Sequence, residues 1–313
     1  MIDNKLICIV GPTASGKTAL SVALAKHRQT EIISADSMQI YKGMDIGTAK
    51  PSIKERDGIV HHMFDVCEKG EDFSVARYVE MADKIAQDIL QREKIPIVVG
   101  GTGLYMDSLI ECSTFSGDET DLKLRNELEQ FANENGNEAL HEKLKAVDPV
   151  SAERLHPNNR KRVIRALEVY HQTGMTIDEM NAKNKRSEPK YNAIKIGVCP
   201  TDRQTLYNRI NARVDLMLDE GLISEVKRVF NGEKLSHTAI QAIGYKEFIP
   251  YLNGESTLEE CIEILKRHSR NYAKRQLTWL KRDKSIHWIN YDSGSDFDEV
   301  FHSSTKFLID VGV

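Results

Sequence analysis

Three short segments carry residues whose types and spacing can do chemistry. Gly11, Pro12, Thr13, Ala14, Ser15, Gly16, Lys17 and Thr18 have the spacing Gly-x4-Gly-Lys-Thr and follow the apolar run Leu6 to Val10. In such a loop, backbone N–H groups and a helix N-terminus cradle phosphate oxygens, the lysine reaches the terminal phosphoryl group, and the Thr18 hydroxyl is placed to hold Mg2+. Asp36 and Ser37 follow Ile32-Ile33, and Thr102 follows Ile97-Val98-Val99 through Gly100 and Gly101. At the carboxyl ends of parallel strands, all three segments would face one crevice. A P-loop nucleotide hydrolase of the ordinary kind wants an acid at the end of an apolar strand, beside its Mg2+. The run at 95–99 ends instead in Gly-Gly-Thr, and Asp36 is the one close acid. That weakens an ATPase reading and leaves Asp36 open to another role.

Basic residues gather in two segments, although the formal net charge is −4. In the first, Lys161, Arg162 and Arg165 point outward together if Val163, Ile164 and Leu167 face a core. In the second, eight Lys/Arg between Lys266 and Lys284 stand against one acid, Asp283, with His268, Tyr272 and Trp279 interleaved. A charge run alone is as often a solvated face. Two such helices in a net-acidic chain favour a polyanion surface with planes on which splayed bases stack. Arg209 and Arg213, four apart on a helix, either reach back over the phosphate loop or are paired surface cations.

The elements that must position these residues alternate. Strands are expected at 5–10, 30–34, 60–66 and 95–99, with helices at 17–28 and 74–92, the latter capped by Ser74. This alternation predicts a parallel α/β sheet. From about 118 the texture turns acidic and helical, and a strand returns at 194–198, with an edge strand at 286–289. The expected organisation is an α/β core of 1–117 and 191–313 interrupted by a helical insertion domain, 118–190. The five cysteines form no Cys-x-x-Cys pair, which suits reduced thiols. His61-His62 lacks a third ligand at metal spacing. With no leader and no apolar stretch of membrane-spanning length, the expectation is a cytoplasmic protein, and nothing demands more than a monomer.

Together these segments resemble the bacterial type of the tRNA dimethylallyltransferase family. The likeness rests on residues 11–18, 35–51, 99–105, 148–158, 243–245 and 273–280, which follow in order along nearly the whole chain. It implies a P-loop NTPase-like parallel sheet flanked by helices. The implied reaction moves a dimethylallyl group from dimethylallyl diphosphate to N6 of the adenosine 3′-adjacent to the anticodon, in tRNAs reading UNN codons. By resemblance, Gly11 to Thr18 and Arg209 hold the diphosphate, Thr18 holds Mg2+, and Asp36 is the base. Thr102 positions the reacting pair, and Lys17 stabilises the leaving group. Contacts to the tRNA anticodon stem-loop are implied for Asp36, Ser37, Met38, Gln39, Arg125, Lys161, Arg162, Val163, Ile164 and Arg165. The same holds for Ile240, Gln241, Ala242, Ile243, Gly244 and Tyr245, and for Lys274, Arg275, Gln276, Leu277, Thr278, Trp279, Leu280 and Lys281. The stretch at 111–123 beside Arg125 departs from the family pattern. Three readings compete: a small-molecule P-loop kinase, which leaves the basic helices idle; a non-catalytic RNA-binding protein; and an adenylate isopentenyltransferase, which takes a free nucleotide.

Overall fold

The computed structural model describes residues 4–113, 122–184, 188–232, 234–292, 294 and 297–313. Six strands, β1 (Lys5–Val10), β2 (Ile32–Ser34), β3 (His61–His62), β4 (Ile97–Gly100), β5 (Asn192–Pro200) and β6 (His287–Tyr291), form one sheet in the order β3-β2-β4-β1-β5-β6. Every pairing is parallel. The helices are α1 (Lys17–His27), α2 (Ile53–Arg56), α3 (Val75–Gln91), α4 (Gly103–Glu111), α5 (Leu122–Val147), α6 (Pro149–Arg154), α7 (Arg160–Thr173), α8 (Ile177–Asn184), α9 (Arg203–Asp219), α10 (Leu222–Val229), α11 (Ile249–Leu252), α12 (Leu258–Leu280) and α13 (Phe297–Asp310).

The chain divides into two compact units, Met1–Ile110 with Lys190–Val313, and Glu111–Pro189. Residues 114–121, where the sequence sets the start of the insertion, lie outside the described residues. In the first unit β1 is central, so Leu6 to Ile9 are wholly buried and read as a continuous apolar run. Ile7, Ile9, Ile196 and Val198 pack with Leu20 and Leu24 of α1 and with Val300 and Leu308 of α13. Cys199, the next residue along β5, packs instead with Leu206 and Ile210 of α9 and Ala273 of α12. The period-two alternation of β5 thus assigns α1 and α13 to one sheet face and α9 and α12 to the other.

The expected strand at 60–66 shortens to His61–His62. Met63 and Asp65 turn to φ 67° and 56°, a left-handed conformation that ends the ladder. The expected edge strand at 286–289 is β6, with His287 opposite Ile196. Ser74 does cap α3, accepting the Arg77 N–H at 3.2 Å.

The second unit has no strand among its described residues. Asp148 caps α6 through the Ser151 N–H at 2.9 Å, and α5 breaks at Gly136, where φ is 88°. Val163, Ile164 and Leu167 of α7 pack against Leu128, Leu140 and Leu144 of α5. Among the described residues no helix is long and apolar enough to cross a membrane.

Candidate active site

Strand order builds the site. β2, β4 and β1 are neighbours, so the loops after them open side by side at one sheet edge. The loop after β1 is the phosphate loop, and Gly16, at φ 88°, makes the left-handed turn into α1 that a side chain would strain. Lys17 folds back, its Nζ donating to the Pro12 carbonyl at 2.6 Å. The Ser15 hydroxyl is buried without a protein partner. Burial, reinforced by the Arg213 guanidinium and opposed by Asp36, pulls the Lys17 ammonium down to about 7. An uncompensated cation and an orphaned hydroxyl in a loop of backbone N–H groups are what a bound anion would satisfy.

Asp36 Oδ1 accepts the N–H groups of Met38 at 2.8 Å and Gln39 at 3.3 Å, which leaves Oδ2 for a ligand. Burial raises its pKa above the ordinary carboxylate range, against the pull of those two bonds and of Lys17 and Arg213. Thr102 Oγ1 accepts the Ser37 N–H at 3.4 Å and so joins the loop after β4 to the loop after β2. Gln39 Nε2 donates to the carbonyls of Thr48 and Ala49, which holds the 48–49 segment against the crevice.

Two helices close the far side. Arg209 Nε donates to the Ala14 carbonyl at 2.8 Å, and Arg213 reaches Thr13 Oγ1 at 3.5 Å and the Ala49 carbonyl at 3.3 Å. Both arginines therefore lie over the phosphate loop. From α12, Gln276 accepts the Thr13 N–H and donates to the Gly101 carbonyl. A side chain at position 101 would stand 2.0 Å from the Gln276 amide, which explains one glycine of the Gly-Gly-Thr loop. The crevice holds about 330 Å3 and includes Lys17, Thr18, Asp36, Arg213 and Tyr272, with an apolar wall of Phe64, Ile210, Val214, Met217 and Leu265. Among the described residues no group of three or more His, Cys, Asp or Glu is arranged to hold a metal. A lone Thr18 hydroxyl beside an anion cradle suits a hard cation that keeps water and ligand oxygens around it.

The residues expected to touch RNA divide sharply. Lys161, Arg162, Ile240, Gln241, Lys274, Arg275, Thr278, Trp279 and Lys281 are exposed. Val163, Ile164, Ala242, Gly244, Tyr245, Gln276 and Leu280 are buried in the protein, although Ala242 and Gln276 also line the crevice. They shape the segments whose neighbours are exposed. The Arg125 guanidinium grips the buried Glu168 carboxylate through two bonds, at 2.6 and 2.8 Å, with part of its side chain still exposed. Arg165 also lies 3.7 Å from Glu168.

Glu225 has no signal in the sequence, and Tyr272, one of the aromatics interleaved with the basic run, takes a place in the crevice that the run alone does not assign. Glu225 is buried and accepts the N–H groups of Asp45, Ile46 and Gly47 and the Tyr245 hydroxyl, fixing the segment that leads into the crevice wall. No local pattern marks it. Tyr272 lines the crevice near Asp36, and burial raises its phenol pKa. Its place one turn before Gln276 was a usable signal.

A family model described as IPP transferase matches residues 39–283, and one described as isopentenyl transferase matches residues 4–65. The tRNA dimethylallyltransferase of Acetivibrio thermocellus is 50% identical over 100% of this chain and 99% of its own. That of Halothermothrix orenii is 48% identical over 98% of this chain and 95% of its own. Among solved structures, the tRNA isopentenylpyrophosphate transferase of Bacillus halodurans superposes with a TM-score of 0.73 at 45% identity, covering 98% of this chain and 96% of that one. A eukaryotic dimethylallyltransferase acting on tRNA gives a TM-score of 0.82 at 31% identity, covering 97% and 78%. With a phosphate loop beside a carboxylate and no acid after β4, and with relatives matched end to end, this chain belongs to the tRNA dimethylallyltransferase family.

Proposed function

We propose that this protein transfers the dimethylallyl group of dimethylallyl diphosphate to N6 of the adenosine 3′-adjacent to the anticodon, in tRNAs reading UNN codons. The observation that carries this reading is the pairing of an anion cradle with a shielded carboxylate, Asp36, across adjacent strands. In the reaction the N6–C1 bond forms as the C1–O bond to diphosphate breaks. The bonding pair leaves with diphosphate, and the amine proton passes to Asp36, whose raised pKa makes it a stronger base. The loop N–H groups, Lys17 and Arg209 take up the charge that develops on the leaving group. Mg2+, held by Thr18 and diphosphate oxygens, would add Lewis-acid charge neutralisation there.

Thr102 steadies Ser37 and the turn that carries Asp36. The apolar wall around Ile210 and Met217 offers a surface for the branched C5 chain. The target base is stacked in its loop, and flipping it out costs a few kcal/mol. Phosphate contacts from Lys274, Arg275 and Lys281, with Lys161 and Arg162 of the helical unit, offset that cost. A cytoplasmic monomer suffices for this work.

The test is incubation with dimethylallyl diphosphate and unmodified tRNA, followed by mass analysis of the nucleosides. Adenosine carrying one dimethylallyl unit is expected. Prenylation of AMP but not tRNA, or phosphoryl transfer from ATP without prenylation, would overturn the proposal.

A further inference from the structure

A second cavity, of about 750 Å3, shares the walls of the crevice. On α12, Tyr272, Arg275 and Gln276 line the crevice, whereas Lys274, Thr278 and, just past the helix end, Lys281 line the second cavity. On α9, Ile210, Arg213 and Met217 serve the crevice, and Arg203, Leu206 and Tyr207 serve the other. The alternate residues Ile286, Trp288 and Asn290 of the edge strand and its approach complete the lining. A side chain at position 197 would come within 2.6 Å of the Trp288 ring, so Gly197 lets that indole lie close against β5.

Charge is one-sided here. Arg203, Lys274, Lys281 and Lys284 line the cavity against a single acid, Asp283, which is already paired with Lys195 at 2.6 Å. The Arg203 guanidinium sits 5.0 Å from the Tyr207 ring centroid. Cations beside two aromatic rings are the combination that holds single-stranded nucleic acid, since phosphates meet the charges and any base can stack. The exposed ridge of Lys274, Arg275 and Thr278 joins this cavity to the crevice across α12.

We propose that the second cavity is an RNA subsite that receives a nucleotide flanking the target adenosine, its base against Trp288 and Tyr207 and its phosphate on Arg203 and Lys284. The proposal rests on the tRNA reading above and deepens it. Anchoring a neighbour here would hold the strand open while the target base enters the crevice.

The double variant Arg203→Glu/Lys284→Glu tests it. We expect the tRNA KM to rise by about tenfold or more and the slope of its logarithm against log salt to fall by about 1–2, from two lost phosphate contacts. The kcat at saturating tRNA and the KM for dimethylallyl diphosphate stay within about twofold, which also reports an intact fold. Trp279 and Trp288 are the two tryptophans of the chain. In a Trp279→Phe background, Trp288 fluorescence should therefore be quenched by an unmodified anticodon stem-loop. A wild-type protein that prenylates tRNA while the double variant keeps its tRNA KM and salt slope overturns the subsite, as does an unquenched Trp288 at saturating RNA. A wild type that leaves tRNA unmodified overturns the underlying function instead.

Discussion

Gln276 Oε1 accepts the backbone N–H of Thr13 at 2.8 Å, across 263 residues of sequence. Its amide donates to the Gly101 carbonyl at 3.1 Å. One residue of the basic helix α12 thereby sets the spacing between the phosphate loop and the Gly-Gly-Thr loop. Gln276→Ala leaves two sheltered backbone groups unpaired, worth about 1–3 kcal/mol. The expected loss is about 5- to 100-fold in kcat/KM for dimethylallyl diphosphate, read by steady-state kinetics at saturating tRNA. Gln276→Glu keeps the acceptor for Thr13 but turns negative charge toward Gly101 and the bound diphosphate, so its loss should be greater. Unchanged donor kinetics in both variants would make the bridge idle.

Asp36→Asn preserves an acceptor for Met38 and Gln39 while removing the base. Transfer should fall by about 10²- to 10⁴-fold. The tRNA dissociation constant, measured by filter binding, should stay within a few-fold, because the turn around Asp36 is retained. Near-normal turnover would remove Asp36 from the proton transfer.

Glu225 presents a different kind of dependence. Its carboxylate accepts three consecutive backbone N–H groups, at 3.1, 3.1 and 2.9 Å, and the Tyr245 hydroxyl at 2.7 Å, while its side chain is almost wholly buried. Glu225→Gln must point an N–H donor at some of these donors. A loss of about 2–4 kcal/mol is expected, which lowers Tm by roughly 5–15 °C in a unit of this size. Calorimetry checks the melting point, and a drop of less than about 2 °C would contradict the arrangement.

At the sheet edge, Glu31 ion-pairs with Arg92 and lies 2.8 Å from His62 Nε2. The Arg92 hydrogen bond, aided by His62 and opposed by burial, depresses the Glu31 carboxyl from 4.5 to about 2. A depressed carboxylate contributes stability that is present above its unfolded value and lost as pH falls through the folded one. With water around Arg92 taken into account, that contribution is on the order of 2 kcal/mol. Chemical denaturation should therefore show wild type losing stability between about pH 5 and pH 2 more steeply than Glu31→Gln. Parallel curves would discount the pair.

Much of this site is legible in sequence because its chemistry is local. The phosphate loop, Asp36 and Thr102 each sit within a few residues of an apolar strand, and parallel strands send such residues to one edge. The strand order that makes β2, β4 and β1 neighbours is a non-local property, and no single segment encodes it. Gln276 and Glu225 are hidden for the same reason, since their partners lie far away in the chain. Val163 and Ile164 show the opposite case. Their helical period already marks them as core, and only the family likeness had assigned them to RNA. The shortened β3 depends on backbone turns at Met63 and Asp65, and methionine is a residue type that rarely adopts the left-handed one seen here.

Lys17 gives the prediction that joins structure most directly to donor binding. In the free protein its ammonium is drawn down to about 7, by burial and by Arg213. A bound diphosphate supplies the missing counter-charge and raises that value again. Between about pH 7 and the higher bound value, each donor that binds must take up a proton, so affinity falls by up to about tenfold per pH unit. Below about pH 7 the lysine is already charged and adds no slope. Titration calorimetry in two buffers of different ionisation heat should find proton uptake at pH 8 and far less at pH 6. The Lys17→Met variant should bind donor weakly, transfer at least about 10²-fold more slowly, and melt no lower than wild type, because a buried cation has gone. Comparing the two proteins separates the lysine from the donor's own phosphate ionisation. Equal proton uptake in both would assign the proton to another group.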